Sequence, residues 1–302
     1  MYTSAAKPIA TLWTVFRELW RHLIAIVAYV VTIEYLDIRY ELDEVKFPIS
    51  VVAILGTVIG LLLAFRTNSC YCRWWEARTL WGAIVNDSRT WTRQLLEFTS
   101  PTGDDTEQTV NRMSYRQIAW CYSLSRSLRS EEPTQDLSRL LPAEEISDLA
   151  DKHAPNTLLL HQGRELRALR EQGKLETFEL IELEKTLVRL TDSMGGCERI
   201  RNTTFPRSYT LMVNLLIYLF VIYLPFGLVR MSWFGLVSIS ISFAMAFLMI
   251  DRVSIGLQDP FSNRPSDTPT QSLSRTIDIN IREMLGETEL PRKACPINGI
   301  LR

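Results

Sequence analysis

"FPISVVAILGTVIGLLLAF", Phe47 to Phe65, carries no charge, and it runs directly into "RTNSCYCRWWEARTLWGAIVNDSR", Arg66 to Arg89, which holds four arginines and three tryptophans. A bilayer core takes about twenty apolar residues as a helix, so the first stretch is long enough to cross one. The question set by the junction is why a membrane-length segment leads at once into arginine, tryptophan and amide side chains.

Working outward, three more stretches have comparable length and apolarity. "LIAIVAYVVTIEYL", Leu23 to Leu36, is extended backwards by "LWTVFRELW" and carries Glu34 inside it. The third runs from Tyr209 to Val229, and the fourth from Trp233 to Ile250. The short connections pair the spans into two tight helical hairpins, separated by a long stretch of mixed charge in which nothing is apolar enough to span. Basic residues favour the cytoplasmic side of a membrane. Lys7, Arg17 and Arg21 precede the first span, and Arg66, Arg73 and Arg78 follow the second. The loop "DIRYELDEVK" between them is net acidic. The pattern predicts a multi-pass protein of the inner (plasma) membrane with both termini and the middle region cytoplasmic.

The expected fold is therefore an all-α membrane protein with four transmembrane helices and a large cytosolic helical region. Its parts are 1–66, the N-terminal segment and first hairpin; 67–207, the cytosolic region; 208–252, the second hairpin; and 253–302, a cytosolic tail. In the middle, Leu180, Leu183, Leu187 and Leu190 share one helical face. Pro142 followed by acids marks a helix start. "SEEPTQD" (Ser130 to Asp136) and "HAPN" (His153 to Asn156) read as loops. One amphipathic helix is expected in the tail, from Thr276 to Gly286.

Composition narrows function. A net charge of −1 argues against a nucleic-acid binder, which would carry a strongly basic domain. The five cysteines are scattered; Cys70 and Cys72 form a CxC, but no second pair or nearby histidine completes a metal site. Reduced thiols, no metal and no cofactor are expected. The first apolar stretch begins only after about twenty residues and lacks a small-residue cleavage site, so no cleavable signal peptide is expected. HExxH, GxSxG, P-loop and GxGxxG motifs are missing from the sequence, and no charge pair has acid/base spacing, so an enzyme is not expected.

The second span has an internal pattern. Gly56, Gly60 and Ala64 recur every four residues, a spacing that lets helices approach closely in a membrane. One position further round, Thr57, Leu61 and Phe65 share the adjacent face. The plain reading is a lipid-buried helix with a packing stripe. The sharper one is a helix lining a symmetric pore, whose apolar rings gate by dewetting.

The stretch after the span resembles the signature of the bestrophin family in its bacterial branch. The matching residues are Phe65, Arg66, Asn68, Tyr71, Arg73, Trp74, Glu76, Arg78, Trp81, Gly82, Asn86, Asp87, Ser88 and Arg89. "GGCERIRNTTFPRSYT", Gly195 to Thr210, resembles the family's lead-in to its third span, and "DPF", Asp259 to Phe261, the turn after its fourth. The resemblance implies a homopentameric ion channel in the lipid bilayer, with the second helix of each subunit lining a neck at Thr57, Leu61 and Phe65. Many relatives carry a bulkier apolar residue at the place of Thr57. The resemblance also implies a cytosolic constriction, matched here to Leu183. Only Asp259 and Asp267 offer carboxylates near the DPF turn, with Arg264 between them, so the calcium clasp of animal relatives is not expected.

Read with the resemblance, the second helix continues past the membrane as a stalk. Arg66 and Arg73 would then face the inner leaflet, and Trp74 and Trp75 would suit the interfacial belt. Glu76, Arg78, Asp87 and Arg89 would form ion pairs, and "NDS" would serve as a turn or cap. The function implied is conduction of small monovalent ions, anions such as chloride first. A sodium or potassium channel of the same architecture is the alternative, and a non-conducting membrane scaffold a more distant one.

Overall fold

The structure, a computed structural model, describes residues 8–40, 48–99, 104–203, 205–228 and 231–296. Lys7, most of the acidic loop, and the end residues Phe47 and Val229 of two expected spans lie outside them. Among the described residues the chain is helical throughout, without a strand. The helices are α1 (Pro8–Tyr40), α2 (Ile49–Phe98), α3 (Asp104–Leu128), α4 (Ala143–Asp148), α5 (Ala154–Glu171), α6 (Thr177–Asn202), α7 (Arg207–Gly227), α8 (Trp233–Gln258) and α9 (Thr270–Met284). A 3-10 turn, Leu137–Arg139, lies between α3 and α4.

Four of these, α1, α2, α7 and α8, are long and apolar enough to cross a membrane. α2 has 50 residues, about 75 Å at 1.5 Å per residue, against a hydrocarbon core of about 30 Å. One unbroken helix thus contains both the apolar run and the arginine–tryptophan stretch.

Two compact units divide the chain. The apolar unit takes the described residues up to Arg73 and those from Phe205 to Gln258. Its core joins Val30 of α1, Ile59 and Leu63 of α2, Ile217 and Phe220 of α7, and Ala244 of α8. Phe220 packs edge-on against Phe243 and Phe247 of α8, with ring centroids 5.9 and 5.2 Å away. Tyr29 donates to the Ile222 carbonyl (2.9 Å), and Tyr209 to the Leu62 carbonyl (2.8 Å).

The polar unit takes Trp74–Thr203 and the described residues from Asp259. Its core gathers Trp81, Ile84, Trp91 and Leu95 of α2 with Trp120 of α3, Leu158 of α5, Leu183 and Leu190 of α6, and Ile277 of α9. α6 begins at a cap in which the Glu179 carboxylate accepts from the Glu176 N–H (2.8 Å). Gly173 (φ 70°) and Gly286 (φ 78°) sit just beyond the ends of α5 and α9, where only glycine adopts the left-handed turn cheaply.

Three local expectations are corrected. "HAPN" is a helix start: His153 caps α5, its Nδ1 accepting from the Asn156 N–H (3.3 Å), with Pro155 in the first turn. "NDS" is neither a turn nor a cap, because α2 runs through it. Ser88 donates back to the Ile84 carbonyl (2.7 Å), and Asp87 pairs with Arg189 of α6 (2.8 Å). α9 starts at Thr270 rather than Thr276. Near its start two hydroxyl residues are buried, Thr270 against Ser125 (2.6 Å) and Ser274 donating to the Cys121 carbonyl (3.1 Å).

Candidate functional site

Within the apolar unit α2 is two-sided. Val52, Ile59, Leu63, Arg66 and Cys70 follow one another at helical spacing and are all buried. The opposite stripe, through Ile54, Thr57, Val58, Leu61, Phe65, Asn68 and Cys72, is exposed and uncharged. Leu61 is 58% exposed and Phe65 61%. The Thr57 hydroxyl donates to the Ala53 carbonyl (2.9 Å), so its donor is satisfied within the helix.

The small-residue stripe splits into two environments. A side chain at Gly56 would place its Cβ 3.0 Å from the Phe220 ring, so this glycine lets α2 and α7 approach within the chain. At Gly60 nothing lies within 4 Å of that position. Gly60 and Ala64 instead border an open groove of about 450 Å³, with Leu63, Thr67, Asn68 and Tyr71 of α2 and Ile250 and Leu257 of α8.

The end of the apolar run is held by a polar cluster. Arg66 does not reach outward to a membrane surface as expected. It is almost wholly buried and forms an ion pair with Asp251 of α8, donates to Thr210 of α7 (3.3 Å), and lies 5.9 Å from the Phe205 ring centre. Next to Arg66, Thr67 meets Ser254, about one turn after Asp251 on α8 (2.6 Å). Arg73 donates through Nε to the Gln258 carbonyl (3.2 Å) at the end of α8. The sequence reading stopped the fourth span at Ile250 and so missed Asp251. The signal available was a lone carboxylate ending one apolar run and a lone arginine ending another, since buried charges are retained in pairs.

In the polar unit the remaining signature residues tie α2 to its neighbours. Trp74 donates through its indole N–H to the Ser266 carbonyl (2.8 Å), and the Arg78 guanidinium stands 5.5 Å from the Trp74 ring centre. Glu76 pairs with Arg199 of α6 (2.5 Å). Arg89 donates twice to Asn280 of α9 (3.0 and 2.7 Å). Asn68, Tyr71, Gly82 and Asn86 are exposed. The "CERI" stretch has a purpose at each position. Gly196 lies so close to α2 that a Cβ there would meet Leu80 at 2.8 Å. Cys197 and Ile200 are buried, Glu198 faces His153 (3.1 Å), and Arg201 reaches Asp259 of the DPF turn (3.4 Å).

The expectation for Leu183 is corrected. It is fully buried within this chain's own core, together with Leu187 and Leu190 of its stripe. The apolar side chains that α6 leaves exposed are Phe178, at 81%, with Ile181 and Val188. Phe178 sits in the first turn and lies off the leucine stripe, so the apolar period gives no sign of it.

Near the DPF turn, Asp259 accepts from the Phe261 N–H (3.3 Å) and from the Ser262 hydroxyl. Asp267 is buried and accepts from the Arg264 N–H (2.8 Å). Burial pushes the Asp267 carboxyl up to about 6, the Arg264 N–H and guanidinium oppose this, and Asp259 adds to it. Both carboxylates are engaged with their own turn or with Arg201. Among the described residues no group of three His, Cys, Asp or Glu side chains is placed to hold a metal ion.

A second ionic cluster went unforeseen. Arg116 of α3, buried, pairs with Glu145 of α4 and approaches Glu165 of α5 (3.5 Å). His161 lies between Glu145 (3.2 Å) and Asp148 (3.0 Å). Burial works against the charged Glu145, but the Arg116 guanidinium and His161 outweigh it and hold this carboxyl below its usual range.

The model of a family described as bacterial/fungal bestrophin protein matches residues 9–283. A voltage-dependent anion channel-forming protein, YneE of Salmonella typhi, is 34% identical over 258 residues, covering 85% of this chain and 83% of that protein. Voltage-dependent anion channel-forming protein RSc3414 of Ralstonia nicotianae is 31% identical over 274 residues, covering 90% of this chain and 87% of its own. A crystal structure of a bacterial bestrophin homolog from Klebsiella pneumoniae superposes with a TM-score of 0.83 at 31% identity, over 90% of this chain and all of that one.

Proposed function

The chain belongs to the bacterial and fungal bestrophin family, and from that premise we propose that it is a homopentameric channel passing small monovalent anions, chloride first among them. The reading is carried by one observation: α2 buries one face in its own subunit and leaves an unbroken uncharged stripe, Thr57–Leu61–Phe65, uncovered. Five copies of that stripe around an axis would form rings of apolar side chains. Such rings oppose ion entry by dewetting when narrow and admit ions when they widen. The names of the Salmonella and Ralstonia relatives support anions as the cargo. Phe65 is compatible with this, because an aromatic ring is electropositive at its edge.

In this reading Gly60 and Ala64 receive a neighbouring subunit, while Gly56 serves packing within one subunit. The basic residues flanking α1 and α2 favour an orientation in an inner membrane with both termini and the polar unit on the cytosolic side. The boundaries 1–66, 67–207, 208–252 and 253–302 follow from it. The role assigned from sequence to Leu183 passes to Phe178, whose exposed ring in the first turn of α6 suits a second, cytosolic apolar constriction.

Purified protein in liposomes, loaded with chloride and challenged with gradients of chloride against an impermeant anion, tests the function. Chloride flux carried by the protein supports it. Flux that follows sodium or potassium and ignores chloride refutes the selectivity, and absence of any flux refutes the channel.

A further inference from the structure

The polar unit contains a second cleft, of about 270 Å³, that no part of the conduction account uses. α3 supplies Tyr122 and Arg126, the 3-10 turn supplies Arg139, and α9 supplies Gln271 and Arg275. Charged residues in the lining are three arginines and one aspartate, Asp136, so the lining carries a formal excess of two positive charges. Arg126 is committed: it donates to Gln135 and pairs with Asp136 (2.8 Å). Arg139 and Arg275 are held differently. Their guanidinium carbons stand 4.8 and 5.9 Å from the centre of the same Tyr122 ring.

The plain account of these two arginines is that they neutralise Asp278, which is fully buried behind them. They share that task rather than carry it alone, because Asp278 has closer partners. Asp278 already accepts from Arg282 (2.7 Å) and from the Tyr122 hydroxyl (3.0 Å). Burial and the neighbouring Asp278 push Tyr122 up to about 12, so it stays a neutral donor to that carboxylate. Arg139 and Arg275 come no nearer to Asp278 than 4.0 and 3.9 Å, too long for good hydrogen bonds. Both side chains remain partly open to the cleft. The result is two guanidinium forks held near one ring, with donors to spare, beside a neutral amide.

We propose that this cleft is a binding site for a phosphate-class oxyanion. Guanidinium forks match the paired oxygens of a tetrahedral oxyanion, a geometry a spherical halide does not exploit. With Arg282, Asp278 and Glu287 counted beside the lining, the cleft still keeps a net positive charge, which favours an oxyanion. The volume exceeds that of a single halide, and the Tyr122 ring offers a surface for an organic substituent on the phosphate. The chemistry is shared by inorganic phosphate, a phosphorylated metabolite and a lipid phosphomonoester headgroup.

The test uses the full-length protein in detergent and radiolabelled inorganic phosphate in equilibrium dialysis. Saturable binding is expected, one per subunit, displaced by sulfate far better than by chloride. Arg139→Gln and Arg275→Gln should each weaken it roughly tenfold or more, as loss of a charged hydrogen-bond partner does. Gln271→Glu places a negative charge in the cleft without touching a partner of Asp278, and should abolish binding even if an arginine variant folds poorly. Arg167→Gln, on the exposed side of α5, should change nothing. A parallel arm with short-chain phosphatidic acid separates the sources. Binding of the lipid alone, lost in the same three variants, assigns the site to a headgroup and keeps it. No saturable binding of either probe, equal binding in all variants, or displacement by chloride as effective as by sulfate overturns the proposal.

Discussion

Arg66 of α2 and Asp251 of α8 form an ion pair that is almost wholly removed from solvent. Each residue ends an apolar run, and together with Thr210 of α7 they join three of the four membrane-length helices at one level. Removing one partner of such a pair strands a charge and costs about 3–5 kcal/mol. Arg66→Gln and Asp251→Asn should therefore each lower the thermal stability of the purified protein markedly. The double variant should be less unstable than the sum of the two. Additive losses in detergent melting would show that the pair is not coupled.

The two glycines of the α2 stripe should fail in different ways. Gly56 is pressed against Phe220, so Gly56→Leu should damage the fold of the single subunit. Gly60 has open space around it, so Gly60→Leu should leave the subunit folded and impair assembly. Native mass measurement together with circular dichroism separates these outcomes. Folded pentamers of Gly60→Leu would remove the stripe from the subunit interface.

Leu61→Ala and Phe65→Ala should raise current by widening and wetting the neck, with less effect on ion preference. Leu63→Ala, on the other side of the helix, should act on stability instead. Leu63 is buried in the core of the apolar unit, and its truncation should cost about 2–5 kcal/mol through the cavity it leaves. Ile24→Ala, exposed on α1, is the suitable comparison and should leave current unchanged. Single-channel recordings check all three.

Stability should respond to acid with two opposed contributions. Glu145 is held below its usual range, so its contribution is present above the unfolded carboxylate value and is lost as pH falls through the lower folded one. Asp267 is pushed up to about 6, so its ionised form opposes folding. That cost is absent below the unfolded value near 4, grows as pH rises between about 4 and 6, and is complete above 6. Asp267→Asn should therefore gain stability relative to the parent at pH 7 and lose the advantage by about pH 4. Melting curves across that range decide it. A variant less stable at neutral pH would show that the carboxylate charge is needed in the turn.

The four membrane-length helices were legible because apolar runs of that length admit few alternatives, whereas the period of Gly56, Gly60 and Ala64 names a stripe without saying what packs on it, and of its two glycines only Gly56 meets another helix within the chain. Leu183 shows where such reading ends. A leucine stripe marks a buried face without saying what buries it, and here the chain's own core buries Leu183. Arg66 was misplaced because its partner lies 185 positions away, a distance no local pattern spans. The start of α9 escaped notice because its buried residues, Thr270 and Ser274, are hydroxyls bonded to Ser125 and to the Cys121 carbonyl rather than apolar side chains. His153 was taken for a loop residue because capping by an imidazole nitrogen has no strong sequence signal.

The account stands on anion conduction through the α2 neck, and reversal potential tests it most directly. The purified protein is placed in a planar bilayer with concentrated potassium chloride on one side and dilute on the other. The account predicts a current that reverses near the chloride equilibrium potential and grows in Phe65→Ala without moving that potential far. Reversal near the potassium potential would contradict the assigned selectivity, and a Phe65→Ala current equal to the parent's would contradict the neck.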